Sequence, residues 1–290
     1  MNVEIANAQQ IEYWNGDAGA NWSERDAEMD AMLRPLGLTA IDIAAPVAGE
    51  QVLDIGCGCG STSLVLAERV GTDGAVLGVD ISAPMLALAE EKRASLPGDQ
   101  RSAINFSQAD AAYFEFPAAK FDLLFSRFGV MFFEDPTLAF TNMRTALKPA
   151  GRLAFLCWGP VIENEWITVP MRAAMTLLSP PEPMDPREPG PFAFSHQDYV
   201  SDILSTAGFV DVSFEATTPT MKMGRGRTVE ETAEFFMDLG PVSRALDGQE
   251  DSRRVAVRDA IVATISDRYV GDALELQGRC WVVTAAVPSN

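Results

Sequence analysis

Short apolar runs alternate with helical patterns through the first half of the chain. The runs are typical of buried parallel strands, because they are short, continuous and bounded by glycine, aspartate or proline. They lie at 51–56, 74–80, 102–110, from 120 onward, and at 151–159. Apolar residues at helical spacing occupy 61–71, 82–96 and 135–151 between them. This alternation predicts an α/β fold with a doubly wound parallel sheet and helices on both faces.

The remaining sequence is helical before this region and less regular after it. Residues 3–47 show a helical pattern, which we expect to be interrupted at Gly16, Gly19 and Pro35. The second half predicts a proline-rich loop at 178–192, helices at 195–209, 228–240 and 251–269, and strands at 210–217 and 279–287. We therefore predict an N-terminal helical cap at 1–47 and a domain at 48–290, with insertions at about 161–195 and 222–276 that form a helical lid.

The acidic composition narrows the classes of partner. The chain has 290 residues, of which 47% are hydrophobic, and a formal net charge of −19. Such a charge repels nucleic acid and anionic membranes, so we expect neither as a partner. No apolar run reaches the ~18 residues of a membrane span, and the N-terminus lacks a signal-peptide pattern. The four cysteines form no disulfide framework, so we expect a cytoplasmic protein.

The stretch VLDIGCGCGST at 52–62 is a candidate ligand loop. Gly56, Gly58 and Gly60 follow the first predicted strand, where ligands of doubly wound sheets bind and where glycine lets them approach the backbone. The spacing differs from the dinucleotide fingerprint G-x-G-x-x-G. In addition, Asp54 lies two residues before the first glycine. A carboxylate there opposes a diphosphate and suits a ligand that carries an ammonium group.

Two further acids end the next two predicted strands. Asp80 lies 20 residues beyond Gly60, where a carboxylate can accept hydrogen bonds from both ribose hydroxyls. Asp110 ends the third strand, where a carboxylate can accept from an adenine amino group. Three acids on three successive strand ends, together with the glycine loop, predict a ligand with an amine, a ribose and a base but no phosphate.

Four motifs in this order resemble those of the class I (Rossmann-like) S-adenosylmethionine-dependent methyltransferases: VLDIGCGCG, GVDIS, QADAAYFEFP and FDLLFSRFGVMFF. Within that family the chain looks most like the ubiquinone/menaquinone-biosynthesis type and related small-molecule methyltransferases. The resemblance is strong over 45–160 and includes the strands at 210–216 and 279–287. It implies a seven-stranded, mostly parallel sheet with an antiparallel last strand. It also implies S-adenosylmethionine as cofactor and S-adenosylhomocysteine as product.

The resemblance assigns roles to individual residues. The methionine end of the cofactor would lie among Asp54, Gly56, Cys57 and Gly58, and the ribose at Asp80. The adenine would pack against Ile81 and Met85 and meet Asp110 and Ala111 at its edge, and the Ser126 backbone would lie near the sulfonium. The segment YWNGDAGANWSERD resembles the N-terminal helix that such enzymes fold over the cofactor, so Tyr13, Trp14 and Trp22 would close the site.

Methyl transfer from a sulfonium is an in-line displacement, so the protein mainly aligns the reactants, which contributes roughly 7–11 kcal/mol. A base is needed only where the acceptor carries a proton that must be removed. His196 is the single histidine and the first candidate catalytic base, ahead of Tyr13 and Tyr199.

The acceptor pocket is predicted beyond the fourth and fifth strands, among Arg127, Phe128, Met131, Phe132, Trp158 and Trp166. Its apolar, aromatic character predicts a small hydrophobic or aromatic substrate. Arg127 would either bind a substrate carboxylate or form an internal ion pair.

Other interpretations are compatible with parts of the pattern. Cys57 and Cys59 do not make a metal site, because one histidine and two distant cysteines do not complete a four-ligand zinc centre. We expect no metal. A catalytically silent or otherwise active protein that binds S-adenosylmethionine would keep the same acids and glycines. The net charge and the sequence SRFG after the fourth strand argue against a nucleic-acid methyltransferase. Asp54 argues against a dinucleotide-dependent oxidoreductase.

Overall fold

The structure, a computed structural model, describes residues 7–179, 185–238 and 240–289. The chain divides into two compact units, which we treat separately. The first comprises the described residues of Met1–Trp158, Arg187–Ala216 and Trp281–Asn290. The second comprises those of Gly159–Pro186 and Thr217–Cys280. The predicted boundaries at 1–47 and 48–290 stay a prediction. Within the described residues, no helix combines the length and the apolar character needed to cross a membrane.

Three helices precede the sheet: α1 (Ala8–Asn15), α2 (Asp17–Glu24) and α3 (Asp26–Ala44). Gly16 separates the first two, as predicted. The breaks predicted at Gly19 and Pro35 were wrong. Gly19 lies inside α2 and faces α1. A Cβ at this position would collide with the Trp14 carbonyl oxygen, so the close packing of the two helices, and not a break in α2, explains the glycine. Helix α3 runs through Pro35, since buried Leu33 and Leu36 on either side of the proline offset its missing hydrogen bond.

The alternating region forms the predicted strands and helices, together with a short helix, α6 (Gly98–Ser102), that the pattern did not predict. In chain order they are β1 (Gln51–Ile55), α4 (Ser61–Val70), β2 (Ala75–Asp80), α5 (Ala83–Ala94), α6 (Gly98–Ser102), β3 (Ile104–Gln108), β4 (Phe121–Arg127), α7 (Pro136–Ala146) and β5 (Leu147–Trp158). The elements that follow are α8 (Glu165–Ala174), α9 (Gln197–Thr206), β6 (Val210–Thr217), β7 (Thr220–Met223), α10 (Val229–Met237), α11 (Gly240–Leu246), α12 (Asp251–Ile265), β8 (Tyr269–Val270), β9 (Ala273–Gln277) and β10 (Cys280–Ala286).

Seven strands form one sheet in the order β3-β2-β1-β4-β5-β10-β6. Strand β1 is parallel to β2 and β4, β2 to β3, and β4 to β5. Strand β10 is antiparallel to β5, since Gly159 N–H donates to Arg279 O near one end and Val287 N–H to Gly151 O near the other. The predicted seven-stranded, mostly parallel sheet is therefore confirmed. The strand order reverses between β1 and β4, which makes the carboxyl ends of these strands the switch point.

The centre of the sheet is covered on both faces, which explains why its strands read as continuous apolar runs. Leu53 of β1 and Leu123, Leu124 and Phe125 of β4 are completely buried. Asp54 is the one charged side chain of β1, and it is completely buried as well. A carboxylate in such a strand is costly unless it has a partner, so its presence needs a chemical explanation.

The second unit combines four helices with a small antiparallel sheet. Helices α10 and α12 lie where the sequence predicts helices in the insertion at 222–276. Strands β7, β9 and β8 form a three-stranded sheet that the pattern did not predict. These strands have four, five and two residues, too few for a clear alternation. Of the proline-rich loop predicted at 178–192, residues 180–184 lie outside the described residues.

Candidate active site

The glycine loop lies at the switch point and is held there by a second glycine turn. Gly56, Gly58 and Gly60 have φ of 64°, 53° and 79°, a region that disfavours other residues. A Cβ on Gly56 would lie 2.6 Å from the Cα of Gly129, in the turn after β4. The Gly129 N–H donates to Ser126 Oγ at 3.2 Å, and Ser126 is completely buried. The two loops therefore approach each other at backbone distance, and the Ser126 hydroxyl stabilises the second turn by accepting the Gly129 N–H.

Asp54 lies directly below the glycine loop with one oxygen left unpaired. Its Oδ2 accepts hydrogen bonds from Thr62 Oγ1 at 2.8 Å and Ser63 Oγ at 2.6 Å. Its Oδ1 is buried and has no hydrogen-bond partner within the described part of the chain. Burial raises the pKa of this carboxyl to about 6, although both hydroxyls and the nearby Arg127 lower it. An unpaired buried oxygen costs free energy, which an ammonium group from a ligand would offset.

Asp80 connects the end of β2 to the glycine loop. Its Oδ2 accepts from the Gly58 N–H and its Oδ1 from the Ser82 N–H, both at 2.8 Å. Burial raises its pKa, against the lowering effect of these backbone donors. A carboxylate offers about four acceptor positions, and the two amides occupy two of them. The orientation of Asp80 is thus fixed by backbone donors, and acceptor capacity is left for the hydroxyl groups of a ligand.

Asp110 is held from two sides at the end of β3. The Ala112 N–H donates to its Oδ1 at 2.9 Å, and the Asn7 side-chain amide donates to its Oδ2 at 2.8 Å. Asn7 also binds Glu134, in the loop between β4 and α7. The sequence analysis missed Asn7, because it lies 103 residues from Asp110 and belongs to no motif. Asp54 and Asp80 thus lie at the ends of β1 and β2, and Asp110 lies in the loop after β3, so the three predicted acids follow one another on adjacent strands of the sheet.

The residues predicted to surround the adenine lie on the loops after β2 and β3 and in the first turn of α5. Met85 and Ala111 are 6% and 4% exposed, and the Met85 methyl group packs against Gly58. The Ile81 carbonyl accepts a hydrogen bond from the Asn15 side chain at 2.9 Å, so α1 contacts the loop after β2. An apolar surface beside Asp80 and Asp110 is what a purine ring requires.

The N-terminal aromatic residues form a cluster over this edge of the sheet. The Trp14 ring makes edge contacts with Trp22 and Phe132, with ring centroids 6.0 and 5.3 Å apart. The Trp14 carbonyl accepts from the Ser82 hydroxyl at 2.7 Å, beside Asp80. Tyr13 contacts Trp14 but is 58% exposed. Helices α1 and α2 are therefore attached to the loops that follow β2 and β4.

Phe128 and Trp158 form the aromatic part of the predicted acceptor pocket. Their rings stack with centroids 4.4 Å apart and an angle of 14°. Phe128 has φ of 59°, which is strained for a bulky side chain. Met131 is 1% exposed, and its carbonyl accepts from the Gly190 N–H. The structure thus brings Phe128 and Trp158 together at the ends of β4 and β5.

Two other residues predicted for the acceptor pocket have partners of their own. The Arg127 guanidinium pairs with Asp30 of α3 at 3.1 Å, and the two side chains are only 14% and 19% exposed. Of the two roles open for Arg127, the internal ion pair is therefore the one formed. Trp166 belongs to the second unit, where its indole N–H donates to Asn164 Oδ1 at 3.1 Å.

His196 is exposed at the start of α9. The sequence predicts Ser195 as the N-cap, but the helix comprises Gln197–Thr206 and His196 itself is the N-cap, without a side-chain hydrogen bond to the helix. Ser195 is buried because its carbonyl accepts from the Trp281 indole N–H at 3.0 Å. The hydrogen bond from Trp281 holds the backbone of Ser195 outside the helix, and α9 begins one residue later than predicted.

The loop cysteines are neutral, buried thiols. Cys57 and Cys59 are each 4% exposed. Burial raises the pKa of both, that of Cys59 to about 12 with a further contribution from Asp26. Neither is therefore a thiolate at neutral pH, which nucleophilic attack or metal binding would need. Among the described residues, no group of three or more histidine, cysteine, aspartate or glutamate side chains is placed to hold a metal ion.

Comparisons with known proteins agree with this geometry. Residues 52–151 match the family model described as a methyltransferase domain. The chain is 39% identical over 121 residues to aklanonic acid methyltransferase DauC from Streptomyces sp. (strain C5), covering 42% of this chain and 54% of that protein. It is 28% identical over 263 residues to nocamycin O-methyltransferase from Saccharothrix syringae, covering 85% and 88%. The chain thus spans about half the length of the first relative and most of the second.

A solved structure of similar fold covers 88% of the chain. It is phosphoethanolamine N-methyltransferase 2 from Haemonchus contortus, in complex with phosphomonomethylethanolamine and S-adenosylhomocysteine. The TM-score is 0.53, the sequence identity is 19%, and the match covers 52% of that chain. At this identity the likeness supports the fold, and the chemistry has to be argued from the site itself.

Proposed function

We propose that this protein is an S-adenosylmethionine-dependent methyltransferase, because residues 52–151 match the methyltransferase-domain family model and the strands form a sheet of the class I Rossmann-like order. We further propose that it methylates an oxygen, nitrogen or carbon atom of a small hydrophobic or aromatic molecule. The observation that carries the proposal is the arrangement of Asp54, Asp80 and Asp110 around the glycine loop. It provides one acceptor each for an ammonium, a ribose and an adenine amino group.

The residues fit S-adenosylmethionine better than a dinucleotide. The unpaired Oδ1 of Asp54 would accept from the ammonium group of the methionine part, where a diphosphate would be repelled. Asp80 would accept from the ribose hydroxyls with the positions that Gly58 and Ser82 leave open. The bound cofactor supplies a methyl group already activated by its sulfonium. The protein then has to orient the acceptor and exclude water, and the contribution of Trp14 and Trp22 is to cover the site.

The acceptor side of the proposal rests on aromatic surface. The rings of Phe128 and Trp158 stack at the ends of β4 and β5, and Met131 is buried in the segment that follows β4. Such a surface suits a planar or apolar molecule. The names of the two relatives, aklanonic acid methyltransferase and nocamycin O-methyltransferase, refer to small molecules, which supports a small-molecule substrate. The net charge of −19 argues against nucleic acid. All four cysteines are buried and form no disulfide within the described structure, which supports a cytoplasmic location.

Binding of the cofactor is tested by calorimetry with S-adenosylmethionine and S-adenosylhomocysteine. We expect Asp80→Ala to weaken both about 100-fold, because two hydrogen bonds to a charged acceptor and the anchor of Gly58 are lost. Asp122→Ala is a matched control, since Asp122 pairs with Lys148 and the Gln51 N–H at the start of β4. It should leave the affinity unchanged. Equal affinity in wild type and Asp80→Ala would overturn the ribose assignment.

Methyl transfer is tested by incubating a metabolite extract with methyl-labelled S-adenosylmethionine and identifying labelled products by mass spectrometry. A labelled small molecule supports the proposal. Cofactor binding without any labelled product would favour the alternative, a protein that binds S-adenosylmethionine for other chemistry or for none. Tight NADH binding without S-adenosylmethionine binding would indicate an oxidoreductase instead.

The same assay tests His196 once an acceptor is known. We propose His196 as general base for an acceptor that must lose a proton, a step in which such a base contributes roughly 100-fold or more. His196→Ala should then lower kcat by that factor with little change in KM. A kcat within twofold of wild type would exclude the role.

A further inference from the structure

Asn7 is a buried polar residue that joins two loops of the candidate site. It is 5% exposed and has φ of 60°, a conformation that asparagine tolerates better than most residues. Its backbone N–H donates to Glu134 Oε2 at 2.8 Å, and its side-chain oxygen accepts from the Glu134 N–H at 2.9 Å. Its side-chain amide nitrogen donates to Asp110 Oδ2 at 2.8 Å. All of its side-chain polar atoms are thus engaged, and Asn7 itself is fixed in place.

This arrangement sets the orientation of the Asp110 carboxylate. The terminal torsion of an aspartate is broad, so a carboxylate held by a single donor can rotate. Here the Ala112 N–H holds Oδ1 and the Asn7 amide holds Oδ2, which fixes the plane of the group. Two of about four acceptor positions are then occupied, and the remaining ones point in set directions.

We propose that Asn7 is a positioning residue for adenine recognition, which acts by fixing Asp110 so that its free acceptor positions meet the adenine amino group. The inference rests on the proposed function, because Asp110 meets an adenine only if S-adenosylmethionine binds there. It goes beyond that function by assigning to the start of α1 a part in selecting the base of the cofactor. Asn7 does not touch the ligand in this account; its effect passes through Asp110.

A purely structural role for Asn7, as an anchor of α1, makes a different prediction. Asn15 offers the comparison, because it anchors the other end of the same helix. Its side chain donates to the Ile81 carbonyl and accepts from the Ala83 N–H, each at 2.9 Å, and does not contact Asp110 in the described structure. Loss of an anchor weakens every ligand of the covered site by a similar factor. Loss of the Asp110 orientation weakens only ligands that carry the amino group.

The test compares two ligands by calorimetry in four proteins. The ligands are S-adenosylhomocysteine and its analogue with unsubstituted purine in place of adenine, which lacks the 6-amino group. The proteins are wild type, Asn7→Gly, Asn7→Asp and Asn15→Ala. Glycine keeps the positive φ and removes the amide. Aspartate keeps the size and the acceptor for Glu134 but replaces the donor to Asp110 with a second carboxylate.

We expect wild type to prefer S-adenosylhomocysteine over the purine analogue about tenfold, the worth of one hydrogen bond to a charged acceptor. Asn7→Gly should reduce this preference to about twofold or less, and Asn7→Asp should abolish it. Asn15→Ala should keep it. Thermal unfolding without ligand checks that each variant is folded, and Asn7→Asp serves if Asn7→Gly is not.

Three results would overturn the proposal. The first is that Asn7→Gly and Asn7→Asp weaken both ligands equally, as an anchor would. The second is that wild type does not distinguish the ligands, which would remove the contact between Asp110 and the amino group. The third is that wild type binds neither ligand. This last result contradicts the proposed function itself, whereas the first leaves that function intact.

Discussion

Asp54 carries a charge in the centre of the sheet with only one of its oxygens hydrogen-bonded. The hydroxyls of Thr62 and Ser63, both on α4, donate to the same oxygen, so α4 holds the carboxylate while the other oxygen stays buried without a partner in the described structure. The pKa of about 6 expresses the cost of this burial. A ligand with an ammonium group lowers that cost, and one with a diphosphate raises it. The free-energy cost of burying Asp54 therefore favours a ligand with an ammonium group over one with a diphosphate.

Cofactor binding should depend on pH through Asp54. Its pKa is raised, so in the free protein the carboxyl is protonated below about pH 6 and ionised above it. Because the pKa is raised, Asp54 contributes to the stability of the folded free protein at low pH, and this contribution is lost as the pH rises through about 6. The ammonium group of the ligand, in contrast, needs the ionised carboxylate. We expect the dissociation constant of S-adenosylhomocysteine to be constant from about pH 7 to 8 and to rise about tenfold at pH 5. Calorimetry across this range measures it.

Asp54→Asn is the control for this dependence. It keeps the size and one acceptor but cannot ionise, so its affinity should be lower at pH 7 and should not follow a transition near pH 6. A transition of equal size in this variant would assign the pH dependence to another group.

At position 128, a glycine variant should be more stable than an alanine variant. Both substitutions remove the stacking on Trp158, but only glycine adopts the φ of 59° without strain. We expect Phe128→Gly to exceed Phe128→Ala in free energy of unfolding by about 1 kcal/mol. Urea denaturation measures the difference, and Phe155, buried in β5 without a positive φ, is the control position, where alanine should be the more stable. The opposite order at Phe128 would contradict the strain.

At the scale of elements, the N-terminal helices and Asn7 before them contact the loops that follow β2, β3 and β4. Beyond the contacts of Asn7 and Trp14, Asp26 pairs with Lys92 at 2.6 Å and Asp30 pairs with Arg127 at 3.1 Å. Lys92 also donates to Ser61, the first residue of α4. Each contact joins the helices to a different part of the site. The helices therefore belong to the site as much as the strands do.

The ion pair between Asp30 and Arg127 should stabilise the protein more than a surface pair. Asp30→Ala leaves a guanidinium that is only 14% exposed without this partner, so we expect a loss of about 1–2 kcal/mol in free energy of unfolding. Asp42→Ala is the matched control, because Asp42 pairs with Arg69 while both side chains are about half exposed. It should cost less than about 0.5 kcal/mol. Equal losses in urea denaturation would contradict the difference.

The elements were predictable where one local pattern decides them. Strand β6 occupies the predicted 210–217, and most strands and helices between 51 and 158 lie within a few residues of their predicted bounds. The exceptions are α6, which was not predicted, and β5, which begins at Leu147, inside the helix predicted at 135–151. Gly19 and Pro35 misled the prediction because their local preferences yield to packing at long range. The sites of Asp54, Asp80 and Asp110 follow from strand ends in the same way. Asn7 does not, since only the folded chain brings it to Asp110.

At the scale of the molecule, the reversal of strand order explains why the site lies where it does. Strands β1 and β4 are neighbours, but their connecting helices leave in opposite directions along the sheet. Ligands of doubly wound sheets bind at the carboxyl ends of such strands, and here the loops of Gly56 and Gly129 approach each other at backbone distance. The three-stranded sheet of the second unit was not predictable in this way. Its short strands are defined by their pairing with one another, which local sequence does not show.

Ligand binding should raise the thermal stability of the whole chain selectively. A ligand at 100 times its dissociation constant stabilises the folded state by about 2.7 kcal/mol, which for a chain of this size raises the unfolding temperature by roughly 5 °C. We expect S-adenosylhomocysteine to produce this shift, which differential scanning fluorimetry measures. NADH should give no shift, because Asp54 faces the position that its diphosphate would occupy. Asp80→Ala should lose most of the shift at the same ligand concentration, while Asp122→Ala should keep it. A larger shift with NADH than with S-adenosylhomocysteine would reverse the choice of cofactor.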